Sequence, residues 1–186
     1  MKSILTEELM VPLDDCASLP PSASLAEAVL ALERVFAHPH AVNLPARSLL
    51  VRSDGGEVEG LLGYVDVLRG LEPKYRGLLE HQGMAHLGFT RKFVQSMLAQ
   101  YNLWEHPLDD ICKKAANQHV RDFLYVPRAD EFIRRDATLD EAVHQLVVGN
   151  LQLLLVTVRE AAVGVLRLSD VFGAVSERIK ACRTGG

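Results

Sequence analysis

Asp136-Ala-Thr-Leu-Asp-Glu-Ala-Val-His-Gln-Leu146, followed by an apolar run over residues 151–158 and then Val163-Gly-Val-Leu-Arg-Leu-Ser-Asp-Val-Phe172, decides the fold, because the chain carries this stretch twice. The upstream copy, Ser22-Ala-Ser-Leu-Ala-Glu-Ala-Val-Leu-Ala-Leu32, matches at Leu25/Leu139, Glu27/Glu141, Ala28/Ala142, Val29/Val143 and Leu32/Leu146, an offset of 114 (from residue 25 to residue 139). An apolar run, Leu49-Leu50-Val51, comes next, and then Gly60-Leu-Leu-Gly-Tyr-Val-Asp-Val-Leu68. These set Gly60, Asp66 and Val67 against Gly164, Asp170 and Val171 at an offset of 104. The first copy therefore carries ten more residues between its first helix and its second strand. Repetition of this kind means one supersecondary unit used twice.

Within each unit the local signals agree. Residues 4–12 and 120–127 both end in Val-Pro, and the proline forces the residue before it toward extended geometry. A brief strand is expected around 15–19 and around 131–135. Ser24-Leu-Ala-Glu27 and Thr138-Leu-Asp-Glu141 have the capping-box form, a hydroxyl at the cap and a Glu three residues on. Leu25, Ala28, Val29 and Leu32 recur at helical spacing, as do Leu139, Ala142, Val143 and Leu146. Gly149-Asn150 stops the second helix, whereas the first runs on toward Phe36 and a loop, His38-Pro-His-Ala-Val-Asn-Leu-Pro45. Residues 48–52 and 151–158 read as strands, the latter buried on both faces. Asp54-Gly55-Gly56 is a tight hairpin turn before a strand over 58–65, and the turn at 159–162 is less typical. Asp66 and Asp170 are each expected to N-cap a closing helix. Every copy is thus β-α-β-β-α.

Residues 73–118 are too long for a simple linker and read as a helical insertion. Gly88-Phe-Thr-Arg91 has the form of a helix start, with Phe89 and Val94 placed as a hydrophobic staple and Phe93, Met97 and Tyr101 on one face. Pro107 suits the first position of a further helix carrying Leu108, Ile111, Cys112 and Ala115. The expected organisation is a first repeat over 1–72, the insertion over 73–118 and a second repeat over 119–186. The fold class is α+β (α/β).

Composition narrows the function classes. The 186 residues are 48% hydrophobic, enough for an ordinary core, and the net charge of −4 gives no basic footprint for nucleic acid. Cys16, Cys112 and Cys182 are far apart and form no CxxC. With no signal-like N-terminus, reduced thiols in a cytoplasmic protein are expected. No apolar run approaches the roughly eighteen residues of a membrane span. There is no GxSxG, P-loop, GxGxxG or HExxH, so no enzyme is expected. The adjacent carboxylates Glu7-Glu8, Asp14-Asp15 and Asp109-Asp110 read mainly as caps and solvated faces. His38 and His40 on one loop, with His81, His86, His106, His119 and Cys112 farther on, lack the convergent spacing that a zinc site needs.

The repeated unit resembles the CBS domain (named for cystathionine β-synthase), and two in one chain resemble a CBS pair, or Bateman module. The likeness rests on the Val-Pro lead-ins, Ser/Thr-Leu-x-Glu-Ala-Val, the apolar second strand, and a Gly-h-h-x-x-x-Asp segment (h apolar) entering the last helix. It covers roughly residues 4–72 and 119–181. The resemblance implies two β-α-β-β-α units packed sheet to sheet about a pseudo-twofold, leaving two clefts, and a homodimer. It also implies a regulatory or sensor module that takes an adenosine-containing ligand (AMP, ADP, ATP or S-adenosylmethionine) and modulates a partner protein. In the family pattern Gly-h-h-Thr/Ser-x-x-Asp, the hydroxyl and nearby N–H groups face phosphate and the Asp accepts from both ribose hydroxyls. Here Asp66 and Asp170 hold the Asp position, while Gly63 and Arg167 replace the hydroxyl; Tyr64 and Leu168 lie beside the cleft. Gly63 keeps the backbone close to phosphate but loses the hydroxyl bond. Arg167 can offer a charged fork to phosphate, fill the cleft, or pair with an acid. The second-copy site, with Asp170 and Arg167, is the better candidate. Two other readings stay open: a dimeric interaction scaffold with degenerate nucleotide sites, and a metal-binding protein using the His-rich loop and insertion.

Overall fold

Two reciprocal capping boxes start the two long amphipathic helices. Ser24 Oγ accepts the Glu27 N–H at 3.2 Å while Glu27 Oε2 accepts the Ser24 N–H at 2.7 Å. Thr138 and Glu141 repeat this at 3.3 and 2.7 Å. These bonds satisfy helix N–H groups that have no intrahelical partner. They open α1 (Leu25–Ala37) and α4 (Leu139–Gly149), and Asn150 closes α4 in the left-handed conformation, φ 51°.

The computed structural model describes residues 4–37, 44–45, 48–71, 96 and 111–184. Its strands are β1 (Val11–Pro12), β2 (Ser18–Leu19), β3 (Ser48–Arg52), β4 (Val58–Gly63), β5 (Phe132–Arg134), β6 (Leu153–Val158) and β7 (Ala161–Arg167). The remaining helices are α2 (Tyr64–Leu71), α3 (Ile111–Asn117) and α5 (Leu168–Thr184). The fold is α+β, as expected. Within the insertion, α3 packs on α1 and α2, with Ala115 against the first repeat's core. The helix start at residues 88–91, the face formed by Phe93, Met97 and Tyr101, and the Pro107 start lie outside the described residues.

Each repeat contributes a parallel pair and a hairpin. β2 runs parallel to β3 and β3 antiparallel to β4; β5 runs parallel to β6 and β6 antiparallel to β7. Alternate side chains on the central strands serve two cores. Leu49 and Val51 face the helices of the first repeat, and Leu154 and Val156 those of the second. Leu50 and Leu61 from one sheet meet Leu153, Leu155 and Val165 from the other in a third cluster, which Leu13, Cys16 and Leu44 complete. Strands covered on both faces read as unbroken apolar runs, which is why Leu49-Leu50-Val51 and residues 153–156 lack alternation.

The lead-in segments cross over. β1, from the first lead-in, pairs antiparallel with β7 of the second repeat, setting Val11 against Val165 and Pro12 against Gly164. Tyr125, from the second lead-in, pairs with Leu61 of β4 through two backbone bonds of 2.9 and 2.8 Å. The exchange extends to the helix starts: Thr6 N donates to Ala137 O (2.8 Å) and Leu139 N to Ile4 O (2.8 Å). Their counterparts are Val120 N to Ala23 O (2.8 Å) and Leu25 N to Gln118 O (2.9 Å). The helix-start pairs map onto their counterparts at the offset of 114, and the strand-edge pairs at 114 for the lead-in and 104 for the hairpin, so the contacts trace a pseudo-twofold.

The repeated glycines are the crossing points. A Cβ on Gly60 would lie 2.5 Å from the Tyr125 carbonyl oxygen, and one on Gly164 2.8 Å from that of Val11. Gly60→Ala and Gly164→Ala are each expected to lose about 1–3 kcal/mol in urea unfolding, the usual cost of overpacking. The β6–β7 hairpin turns on Arg159 (φ 49°) and Glu160 (φ 74°), two non-glycine residues in the left-handed region. Replacing this pair by Asn-Gly is expected to stabilise the fold by roughly 1–2 kcal/mol in the same assay.

Candidate functional site

Both hairpins run straight into a helix without a loop: β4 ends at Gly63 and α2 starts at Tyr64; β7 ends at Arg167 and α5 starts at Leu168. Asp66 and Asp170 were expected as N-caps, and this is corrected: each is the third residue of its helix, and Gly63 and Arg167 hold the cap positions. A carboxylate at the third position reaches back over the first turn, as the glutamate of a capping box does. In the first copy, Asp66 Oδ2 accepts the Gly63 N–H at 2.9 Å and Oδ1 faces Arg69 Nη1 at 3.1 Å. Burial is the largest influence on Asp66 and raises its pKa above the usual carboxylate value, against the opposing pull of the Gly63 N–H and Arg69.

In the second copy the cap residue brings a charge of its own. Arg167 Nε donates to Asp170 Oδ2 at 2.7 Å and Nη2 to Oδ1 at 2.6 Å, a bidentate fork. These hydrogen bonds raise the pKa of Arg167 further. Leu168 N donates to Gln152 O at 2.9 Å, and the Leu168 side chain packs on the second repeat's core. Tyr64, opening α2, is exposed. The structure thus groups Gly63, Tyr64 and Asp66 in one turn, and Arg167, Leu168 and Asp170 in another.

Beside the end of β7 lies a single 3-10 turn from the first lead-in, Leu13–Asp15, followed by Cys16. Cys16 is buried, its thiol donates to Pro12 O at 3.5 Å, and burial pushes its pKa up to about 11. Arg167 and Arg52 both act electrostatically on this thiol, opposed by Asp15; Arg52 is itself paired with Asp14 at 3.1 Å. The counterpart turn in the second lead-in, Ala129–Glu131, is built differently. Buried Glu131 accepts from Arg128 N (3.2 Å), Arg128 Nε (3.3 Å) and the Tyr125 hydroxyl. Burial, then Glu131, pushes the Tyr125 pKa up to about 12.

Sequence reasoning missed Cys16, Arg52, Arg69 and the Tyr125–Arg128–Glu131 cluster. The Asp66-x-x-Arg69 spacing was a visible i,i+3 signal. Cys16 and Arg52 carried none, because only the crossing of the lead-in brings Cys16 under the influence of both Arg167 and Arg52.

Two surface recesses lie elsewhere. One, of about 560 Å³, runs between α4 and α5 and is lined by Val143, Val147, Val148, Val175 and Ile179 among others. The second, of about 970 Å³, lies beside β5 and the β6–β7 turn, with Phe132, Arg134, Arg135 and Arg159 in its wall. Neither includes Asp66 or Asp170. Among the described residues, no three His, Cys, Asp or Glu side chains come together as a metal site. His119 Nδ1 lies 2.9 Å from Ser22 O. His38, His40, His81, His86, His106 and the Cys112 side chain fall outside the described residues. Among the described residues no helix is long and apolar enough to cross a membrane.

No protein-family model matches this chain, and no curated protein does. Solved structures match over nearly its whole length. A CBS domain-containing protein from Kribbella flavida is 18% identical, with 93% of this chain and 98% of that one covered and a TM-score of 0.57. CBSX2 in complex with AMP is 17% identical, with coverages of 93% and 97% and a TM-score of 0.56. The CBS domain of a bacterial CNNM/CorC family Mg2+ transporter in complex with ATP is 11% identical, with coverages of 90% and 84% and a TM-score of 0.54. At these identities the likeness is one of fold: the chain has the fold of a CBS-domain pair.

Asp66 gives a pH test of the first-copy turn. Its folded-state pKa is raised above the 3.8 of a free carboxyl, so the folded protein takes up this proton before the unfolded chain does. The group therefore weighs against folding at neutral pH, and that cost disappears as the pH falls. Relative to Asp66→Asn, which keeps an acceptor for the Gly63 N–H, the wild type is expected to gain melting temperature between pH 7 and about 4.

Proposed function

We propose that this chain is a regulatory CBS-pair module whose second-copy cleft binds an adenosine-containing ligand (AMP, ADP, ATP or S-adenosylmethionine) and passes the signal to a partner protein. The observation that carries this reading is the Arg167–Asp170 fork at the start of α5, which holds an acceptor for ribose hydroxyls and a cation for phosphate in one turn. Two solved structures of the same fold hold AMP and ATP, which supports an adenine nucleotide here. Asp170, Arg167 and Leu168 would form the stronger site, and Asp66, Gly63 and Tyr64 the weaker one. No catalytic chemistry is assigned.

Signalling would be a population shift. A ligand that binds one arrangement of the repeats better than another changes their proportions by that difference in affinity. The reading takes residues 1–72 and 119–186 as the repeats and 73–118 as the insertion, in a cytoplasmic protein. On the second repeat, the recess between α4 and α5 leaves Val147 and Val148 exposed at 70% and 73%, with Ile179 at 59%. Exposed apolar surface gathered in this way marks an interaction site, and a second copy of this chain is the occupant we assign to it.

A scaffold with unoccupied clefts is the rival reading. It is favoured by one specific observation: both carboxylates already have partners, Asp66 in Gly63 and Arg69, and Asp170 in Arg167. A thermal melt of the purified chain with each of the four ligands separates the two readings. At about a hundred times the dissociation constant, a one-site ligand stabilises by roughly 2.7 kcal/mol, a rise of about 5–11 °C for a chain of this size. Asp170→Ala is expected to weaken binding by about 1–3 kcal/mol through unpaired ribose hydroxyls. A flat melt with all four ligands would establish the scaffold instead.

A further inference from the structure

Arg167 stands where the resemblance expects a small hydroxyl, and that exchange changes what the cleft can accept. Both members of the pair are mostly covered, the side chains retaining 22% and 20% exposure. The fork engages one lone pair on each Asp170 oxygen, so a ribose approaching on that side competes with the guanidinium for them. A second guanidinium, Arg52, acts on the same Cys16 thiol as Arg167 does. The acid partner of Arg52, Asp14, is 89% exposed, so water screens that pair strongly. The thiol itself is neutral at physiological pH, and Asp15 is the further acid acting on it.

Ligand entry has to satisfy both charges. A ribose that takes Asp170 on the side of the fork must displace the guanidinium, and separating a covered ion pair leaves an uncompensated charge. Ribose hydroxyls are neutral donors; they complete the bonding of Asp170 and bring no anion to Arg167. A phosphate on the same ribose does, and its oxygens match the planar fork of a guanidinium. In the exchange, Asp170 trades guanidinium N–H groups for hydroxyls and Arg167 trades a carboxylate for a phosphate. Arg52 keeps its bond to Gly56 O and a water-screened acid, and adds positive charge on the side of Cys16.

We propose that the Arg167–Asp170 pair is a charge-exchange latch that makes the second-copy cleft selective for nucleoside phosphates over the corresponding nucleosides. The latch rests on the nucleotide reading above and adds the phosphate as its required element. It is a property of one cleft. In the first copy Gly63 contributes no side chain, and Arg69, the partner of Asp66, is 44% exposed and can turn to water.

Isothermal titration of the full chain with AMP and with adenosine, which differ only in the phosphate, tests the latch. Wild type is expected to bind AMP about 10- to 100-fold more tightly than adenosine, the range for a charge-assisted fork. In Arg167→Ala, which leaves no side-chain donor at this position, the two affinities are expected to converge to within about threefold, because AMP loses the fork while adenosine no longer competes with it for Asp170. Arg167→Lys, which keeps the charge without the fork, is expected to fall between them. Equal wild-type affinity for AMP and adenosine overturns the latch and leaves the nucleotide reading standing. Absence of binding by AMP and adenosine, to wild type and to Arg167→Ala alike, overturns the latch, and a flat melt with all four ligands overturns the nucleotide reading with it. Should Arg167→Ala not fold, the wild-type ratio and the lysine variant still decide.

Discussion

At Gly60 and Gly164 a carbonyl from the opposite repeat passes close to where a side chain would begin, and much of the architecture depends on these two crossings. Each covers the edge of a hairpin with a segment from the other half of the chain. An uncovered edge presents unpaired N–H and C=O groups that invite pairing with other chains. Here the pairing is satisfied internally and reciprocally. Neither repeat completes its sheet, or the hydrogen bonding at its first helix start, without the other's lead-in.

The crossings also decide where polarity can go. The surface between the two sheets is filled by Leu13, Leu44, Leu50, Leu61, Leu153, Leu155 and Val165, with Cys16 beside them. A seam of that composition has no room for an unpaired charge, whose burial is costly. Charged side chains therefore collect at the strand ends, where β4 and β7 pass into helices. Among the described residues, no fully buried side-chain nitrogen or oxygen lacks a partner. Asp66 and Asp170 obey that rule in different ways, one by accepting a backbone N–H and the other by pairing with its own cap residue.

The pseudo-twofold is thus closer in backbone than in chemistry. The lead-in contacts recur in both halves, whereas the two closing turns share only their carboxylate. Gly63 makes the first turn a site of backbone approach, and Arg167 makes the second a site of charge. The turns beside them diverge as well: a buried thiol under the electrostatic influence of Arg167 and Arg52 belongs to the first, and a hydrogen-bonded Tyr–Glu–Arg cluster to the second. Duplication supplied two equivalent places, and substitution gave them different electrostatics.

Much of this was legible in the chain. The capping boxes, the helical spacing of Leu25 to Leu32 and of Leu139 to Leu146, and the apolar strands are local signals. They depend on neighbours within about one helical turn or on strand burial, and each formed close to where it was read, although the strand expected over 151–158 starts at Leu153 and the one expected over 58–65 gives way to the helix after Gly63. The cap role of Asp66 and Asp170 was misread, because a helix start is recognised from side-chain type to within a residue or two. The one-turn hairpin–helix junctions place those carboxylates two residues inside the helix. The sequence by itself determined the repeat, its element order and the carboxylate common to both copies, since these follow from periodicity and short-range hydrogen bonding. Only the tertiary structure decided that each lead-in crosses to the other repeat, that Cys16 comes under the influence of both Arg167 and Arg52, and how deeply the Arg167–Asp170 pair is covered. Those outcomes depend on contacts between residues far apart in the chain and on how deeply a charge is covered, and neither quantity is written in local pattern.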